Sequence, residues 1–308
     1  MIYTCTLNPS VDYRIELDSF QIGELHRAKQ NDYYPGGKGI NVSRVLKNFG
    51  TPNIAIGFLG GFTGKFILDS LNREGIVSDF VFHEAPTRIN VKLKMMETET
   101  EINGQGPSVP RECQEMLLKK VREFTSEDYF VISGSLPSGI GFDYYEKMVS
   151  IASSKGVSWI LDISSPDLKK LLQFKPFLVK PNLEELSAIL GRDMGSIKAL
   201  VGGGKELLQW GAENVIISMG GQGAIFMNAD VVLIANAPQG RVKSTVGAGD
   251  SMVAGFLSSY IASHDPVSSF AYSVAAGSAT AFSDDLCRKH EADRLLPYIK
   301  VQTWKEEE

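Results

Sequence analysis

The chain has 308 residues, 43% hydrophobic and 22% charged, enough for one large globular domain or two smaller ones. Its net charge of −5 and pI near 5.5 give no broad basic face, which argues against nucleic acid as a partner and leaves room for a small anion held by a few local cations. Three scattered cysteines (Cys5, Cys113, Cys287), the lack of a CxxC or HExxH pair, an N-terminus without a basic, apolar leader and no apolar run near the roughly 18 residues of a membrane span lead to the expectation of a soluble, cytoplasmic protein without a disulfide framework or structural zinc.

The first predicted strand is IYTCTLN at the N-terminus. Next, VDYRIELDSF places Val11, Tyr13, Ile15 and Leu17 at period two, as in a strand with one apolar face. The turn PGGKGIN (Pro35 to Asn41) leads into a helical stretch, GINVSRVLKNFG. A strand, NIAIGFLG, and a helix, TGKFILDSLNREG, follow. TRINVKLKM and TETEIN read as a strand pair, with Ile89, Val91 and Leu93 alternating with Arg88, Asn90, Lys92 and Lys94. Further on, the helical PRECQEMLLKKVREF precedes the strand-like runs DYFVIS, VSWILD, FLVK and NVIISM. After Asp250, apolar residues at Met252, Val253, Phe256, Leu257, Tyr260 and Ile261 have the spacing of an amphipathic helix. The acidic tail KEEE reads as surface. Strands alternating with helices predict an α/β fold, a mostly parallel sheet covered on both faces. The half-polar segments at about 11–34 and 87–103 predict a small β lid on a single domain spanning 1–308.

Two glycine turns carry the chemical signal. In STVGAGDSMVAG, Gly247 and Gly249 leave backbone amides bare at a helix start, where the dipole is positive and an anion is favoured. Asp250 follows, in a position open to a helix cap or to a base. In PGGKGIN, Gly36 and Gly37 permit close backbone approach and Lys38 supplies a cation, with Asn41 three residues on along the same side of the helix. The Gly-Lys pairs of the chain lack the earlier glycine and the following Ser/Thr of a P-loop, and no dinucleotide fingerprint is present.

GGKGIN and TVGAGD, in this order, resemble the two signatures of the ribokinase-like (PfkB) carbohydrate kinases. The resemblance continues through TLNPSVD, TRINVKLK, TEINGQGP, SGSLP, KPNLEEL and SMGGQGA, from residue 1 to about 285. It implies a ribokinase-like body with a β lid and ATP-dependent transfer of the γ-phosphoryl group to a sugar hydroxyl. The particular motifs look like those of kinases that act on phosphorylated ketoses. They imply D-fructose 1-phosphate as acceptor, phosphorylated at its 6-hydroxyl, with tagatose 6-phosphate as the alternative. A non-catalytic sugar-phosphate sensor on the same fold is the reading from another class.

By the same resemblance, Asp250 is the catalytic base, and the amides of Gly247, Ala248 and Gly249 form the anion hole. Asp12, Gly36, Gly37, Lys38 and Asn41 hold the sugar. Arg27, Arg88, Asn90 and Lys92, with Asn103 and Ser135, surround its phosphate. Four cations in segments facing the substrate favour a sugar phosphate over a neutral sugar. Lys180, Asn182, Ser218, Gly220, Gly221 and Gly223 line the ATP site, and Asn182 and Glu185 organise Mg²⁺ through water. From spacing alone, Asn182 and Glu185 are also a helix-capping pair, and the glycines of SMGGQGA a tight hairpin. Two positions depart from the pattern. Ser165-Pro166 replaces Gly-Glu, and His26 replaces Asn before Arg27. A homodimer through the lid is compatible with its apolar face.

Overall fold

The computed structural model describes residues 1–95 and 98–305. Glu306, Glu307 and Glu308 of the acidic tail, and Met96 and Glu97 of the second lid segment, lie outside the described residues. In spatial order the main sheet runs Val301–Thr303, Val232–Ala235, Ala224–Met227, Asn214–Ser218, Leu178–Val179, Ser158–Asp162, Tyr129–Ser133, Ile2–Thr6, Asn53–Gly60 and Val77–Ser78. Val81–His83 also pairs with Asn53–Gly60. Pairing is parallel from Asn214–Ser218 to Val77–Ser78 and antiparallel across the other three strands.

The near-continuous apolar runs of the central strands are those of a sheet buried on both faces. Successive side chains leave on opposite sides. Phe130, Ile132, Trp159 and Leu161 enter one core, shared with Leu117 and Val121 of the helix Arg111–Val121 and Met148 of Asp143–Ser154. Val131, Ile160 and Leu178 enter the other, against Val42 and Val45 of Lys38–Asn48, Val253 and Phe256 of Ala248–Ser263, and Phe270 of Pro266–Phe282. This two-sided covering is the α/β architecture expected from the alternation of strands and helices.

A second sheet has the order Gln30–Gly36, Ser10–Glu16, Arg88–Lys94, Glu99–Asn103. Ser10–Glu16 runs parallel to Arg88–Lys94, with Asp12 opposite Asn90 and Arg14 opposite Lys92. The strand expected over VDYRIELDSF stops at Glu16. Gln30–Gly36 is a strand without a sequence signal, since its polar start and Pro35 disfavour one. Its place at the sheet edge tolerates the missing amide. Among the described residues no helix is long and apolar enough to cross a membrane.

Candidate active site

A cleft of about 1150 Å³ is lined by residues of the small sheet, the carboxyl ends of the parallel strands and the first turn of Ala248–Ser263. Carboxyl ends of parallel strands are where α/β proteins place their ligands, and this volume exceeds that of an ordinary single-ligand pocket.

Asp250 sits in the first turn of that helix and is almost fully buried. It is not a cap: the capping position is Gly247, and no side chain caps this end. Its Oδ2 instead accepts from Nδ2 of Asn41, on the helix Lys38–Asn48, at 2.8 Å. Burial raises the carboxyl to a pKa of about 6. The charge of Asp162 adds to the rise, while Asn41, Lys38 and Lys180 oppose it. A carboxyl with that value is poised to exchange protons near neutral pH.

Gly247 turns the chain at φ 78, in the left-handed region, and a Cβ there would lie 2.5 Å from Leu286 Cδ2. The Ala248 amide, expected in the anion hole, instead donates to the Thr245 carbonyl at 3.2 Å. The amides of Gly249 and Asp250, next in the turn, have no intrahelical acceptor. Lys180 lies directly against this turn, its Nζ 3.0 Å from where a Gly249 Cβ would be. Lys180 and Lys38 both approach Oδ1 of Asp162, at 3.4 and 3.2 Å. Burial disfavours the Asp162 anion, yet Lys180 and Lys38 together hold its pKa below the usual value. Lys38 is also 3.5 Å from Glu185. Burial alone would lower its pKa, but Asp162, Glu185 and Asp250 outweigh that and keep it protonated.

The small sheet supplies the opposite wall. Asp12 accepts from Ser10 Oγ (2.7 Å) and Asn90 Nδ2 (3.0 Å), and Lys92 Nζ lies 3.5 Å from both Asp12 and Glu101. Asn90 Oδ1 accepts from the Gly104 amide. Asn103 lines the cleft here, as does Ser135, which accepts from Asn8 Nδ2 at 3.1 Å.

Arg88 reaches the cleft, but its guanidinium donates to the carbonyls of Asn8, Pro9 and Gly104 at 3.0–3.3 Å. It therefore ties Arg88–Lys94 to the loop after Ile2–Thr6 and is not a free fork. Asn8, Pro9 and Gly104 lie outside the strands, where a side chain can meet the backbone's need for partners. Arg27 is exposed in the segment between the first two small-sheet strands and does not line the cleft, contrary to the sequence expectation. Gly36 lies just behind the lining, where a Cβ would strike Asp12 at 2.6 Å. Gly37, by contrast, lines it beside Lys38.

At the other end, Asn182 and Glu185 form a reciprocal capping box on Leu183–Leu190. Asn182 Oδ1 accepts from the Glu185 amide at 2.7 Å, and Glu185 Oε2 from the Asn182 amide at 2.9 Å. Glu185 Oε1 also accepts from Ser164. Ser218, Gly220, Gly221 and Gly223 line this end, in a turn joining the antiparallel strands Asn214–Ser218 and Ala224–Met227. Among the described residues no cluster of three or more His, Cys, Asp or Glu forms a metal cage. Two hard oxygen donors beside the cleft do suit a magnesium ion that retains its waters.

Sequence reasoning missed Asp162, Asn8 and Ser164 among the cleft residues. A signal for Asp162 was present, an acid closing the apolar run of VSWILD.

Lys38, Lys180, the amides of the helix start and the buried Asp250 carboxyl thus meet across the cleft from the polar wall of the small sheet, an arrangement that suits a phosphotransferase with an alcohol group as acceptor. The pfkB family carbohydrate kinase pattern matches residues 6–290, and the chain belongs to this family. The 1-phosphofructokinase of Bacillus subtilis is 44% identical over 301 residues, covering 98% of this chain and 99% of that protein. D-tagatose-1-phosphate kinase of Bacillus licheniformis is 40% identical over 302 residues, with 98% and 99% covered. The crystal structure of phosphofructokinase-2 from Escherichia coli in complex with substrates and products matches with a TM-score of 0.92 at 30% identity. It covers 96% of this chain and 98% of that one.

Proposed function

We propose that the protein transfers the γ-phosphoryl group of MgATP to the 6-hydroxyl of D-fructose 1-phosphate, giving fructose 1,6-bisphosphate and ADP in the cytoplasm. The observation that carries the mechanism is Asp250: a buried carboxylate with no capping role, held by Asn41 inside the cleft. It takes the proton from the attacking hydroxyl. The Gly249 and Asp250 amides, with Lys180 and Lys38, face the charge that develops on the phosphoryl oxygens. Asn182 and Glu185 would hold magnesium through its waters, and the bound ion would supply neutralisation of phosphate charge. The turn at Ser218–Gly223 borders the nucleotide.

At the small-sheet wall, Asp12 and Asn90 orient sugar hydroxyls and Lys92 meets the substrate phosphate, while Arg88 fixes the wall itself. The small sheet acts as the lid. A homodimer forms through its outer face, where Tyr33, Ile89 and Ile102 are exposed and Tyr13 stacks on Tyr33 at 4.4 Å. The identity to a 1-phosphofructokinase supports fructose 1-phosphate over other ketose phosphates. The D-tagatose-1-phosphate kinase relative favours tagatose phosphates as the second reading. Initial rates on fructose 1-phosphate, tagatose 1-phosphate, tagatose 6-phosphate and fructose 6-phosphate decide the acceptor. Fructose 1-phosphate is expected to give the highest kcat/KM, and faster turnover of any other replaces it.

A further inference from the structure

We propose that Asp162 is a positioning residue for phosphoryl transfer, fixing the ammonium groups of Lys38 and Lys180 in one arrangement at the floor of the cleft. The inference rests on the transfer reaction proposed above. The two lysines come from separate elements. Lys38 opens the helix Lys38–Asn48, and Lys180 follows the strand Leu178–Val179. Both converge on one oxygen, Asp162 Oδ1, at 3.2 and 3.4 Å.

Asp162 is 1% exposed and ends Ser158–Asp162, in the middle of the parallel sheet, so its own position is set by the backbone ladder. It stands in register with Ser133, and Ser133 with Thr6. Its second oxygen, Oδ2, is buried and accepts no hydrogen bond from the described residues. The carboxylate is thus spent on the lysines and not on stitching the fold. A lysine is a point charge on a long flexible stem, and an ammonium helps the transition state only if it is already in place when charge develops. Asp162 supplies that restraint. Lys180 is thereby set against Gly249, at the turn that faces the transferring group, and Lys38 between Asp162 and Glu185.

Asp162 also sets the charge that Asp250 meets. The groups facing Asp250 are Asp162, Lys38, Lys180 and Asn41. Removing the Asp162 charge takes away an anion that adds to the rise while the pull of Lys38 and Lys180 stays, so Asp250 then ionises at lower pH.

The test is steady-state kinetics of Asp162→Asn and Asp162→Glu, with MgATP and the ketose phosphate that the wild type turns over best. Asp162→Asn is expected to lower kcat about 100-fold, to change KM for the sugar phosphate less than about threefold, and to move the acid limb of kcat/KM to lower pH. Asp162→Glu keeps the charge but displaces both ammoniums. It is expected to keep the wild-type acid limb and lose about tenfold in kcat, and it decides the matter if Asp162→Asn does not fold. Wild-type kcat in either folded variant overturns the proposal. So does an Asp162→Asn enzyme whose rate returns at high Mg²⁺, which would place the residue on the metal. Failure of the proposed function is seen separately: a wild type that phosphorylates none of the ketose phosphates refutes the reaction itself, before any variant is compared.

Discussion

Replacing Asp250 by Asn separates catalysis from stability, because the two should move in opposite directions. Asn keeps the shape and can still face Asn41, but it cannot take a proton. If Asp250 is the base, kcat falls by about 10²–10⁴ with little change in KM for the sugar phosphate. The stability effect follows from burial. Asp250 holds its proton up to about pH 6 in the folded protein, against an ordinary value of 3.8. Between those values the folded state binds the extra proton. That contribution is complete below 3.8 and is lost as pH rises through about 6. The cost of carrying the buried charge at pH 8 is then about 3 kcal/mol. Asp250→Asn should recover up to that amount at pH 8 and almost nothing near pH 4. Urea unfolding of both proteins across this range measures the difference. In parallel, wild-type kcat/KM should fall as pH drops through about 6. A variant no more stable at pH 8 than at pH 4, relative to wild type, would refute the argument that burial raises this carboxyl. Undiminished turnover would refute the base, whereas a wild type that binds sugar phosphate and transfers no group to it would favour the sensor.

Lys92→Met removes the small-sheet cation that stands next to Asp12 and Glu101. KM for the sugar phosphate is expected to rise by about tenfold or more, a loss of roughly 1.4 kcal/mol or more, with KM for ATP unchanged. Equal KM values in titrations of both substrates would remove Lys92 from the phosphate end. Gly247→Ala puts a side chain at φ 78 and 2.5 Å from Leu286 Cδ2. The strain should lower stability by about 1–3 kcal/mol and displace the turn, so that thermal unfolding and kcat fall together. An alanine variant with wild-type melting would show that this turn needs no glycine.

How much of this was legible in the sequence depends on the range of the interactions. The central strands were readable because burial on both faces demands continuous apolar runs such as YFVIS and SWILD. The glycine turn at the start of Ala248–Ser263 was readable because glycine and a helix start lie within a few residues of each other. Arg88 was legible as a cleft residue but not in its role. Whether a guanidinium meets phosphate or backbone depends on which carbonyls the fold leaves unpaired, and Asn8, Pro9 and Gly104 lie far from it along the chain or across a turn. Arg27 shows the converse. A cation near the right motif says nothing about reach, and the segment between Glu16 and Gln30 carries it outward to solvent.

Asp162 is the sharpest case. No local spacing relates it to Lys38, Lys180 or Asp250, since 124 residues separate it from Lys38. Only the parallel register of four strands, the last of which runs directly into Lys180, brings the charges to one point. The cap-or-base question at Asp250 had the same form. Helix-start propensity alone favours a cap, yet no side chain caps this end and the carboxylate's partner is Asn41, 209 residues away. Local sequence supplies the turn and the carboxylate. The sheet register decides which charges surround them; those charges adjust the proton affinity that burial raises at Asp250, and one of them, Asp162, touches both ammoniums beside it.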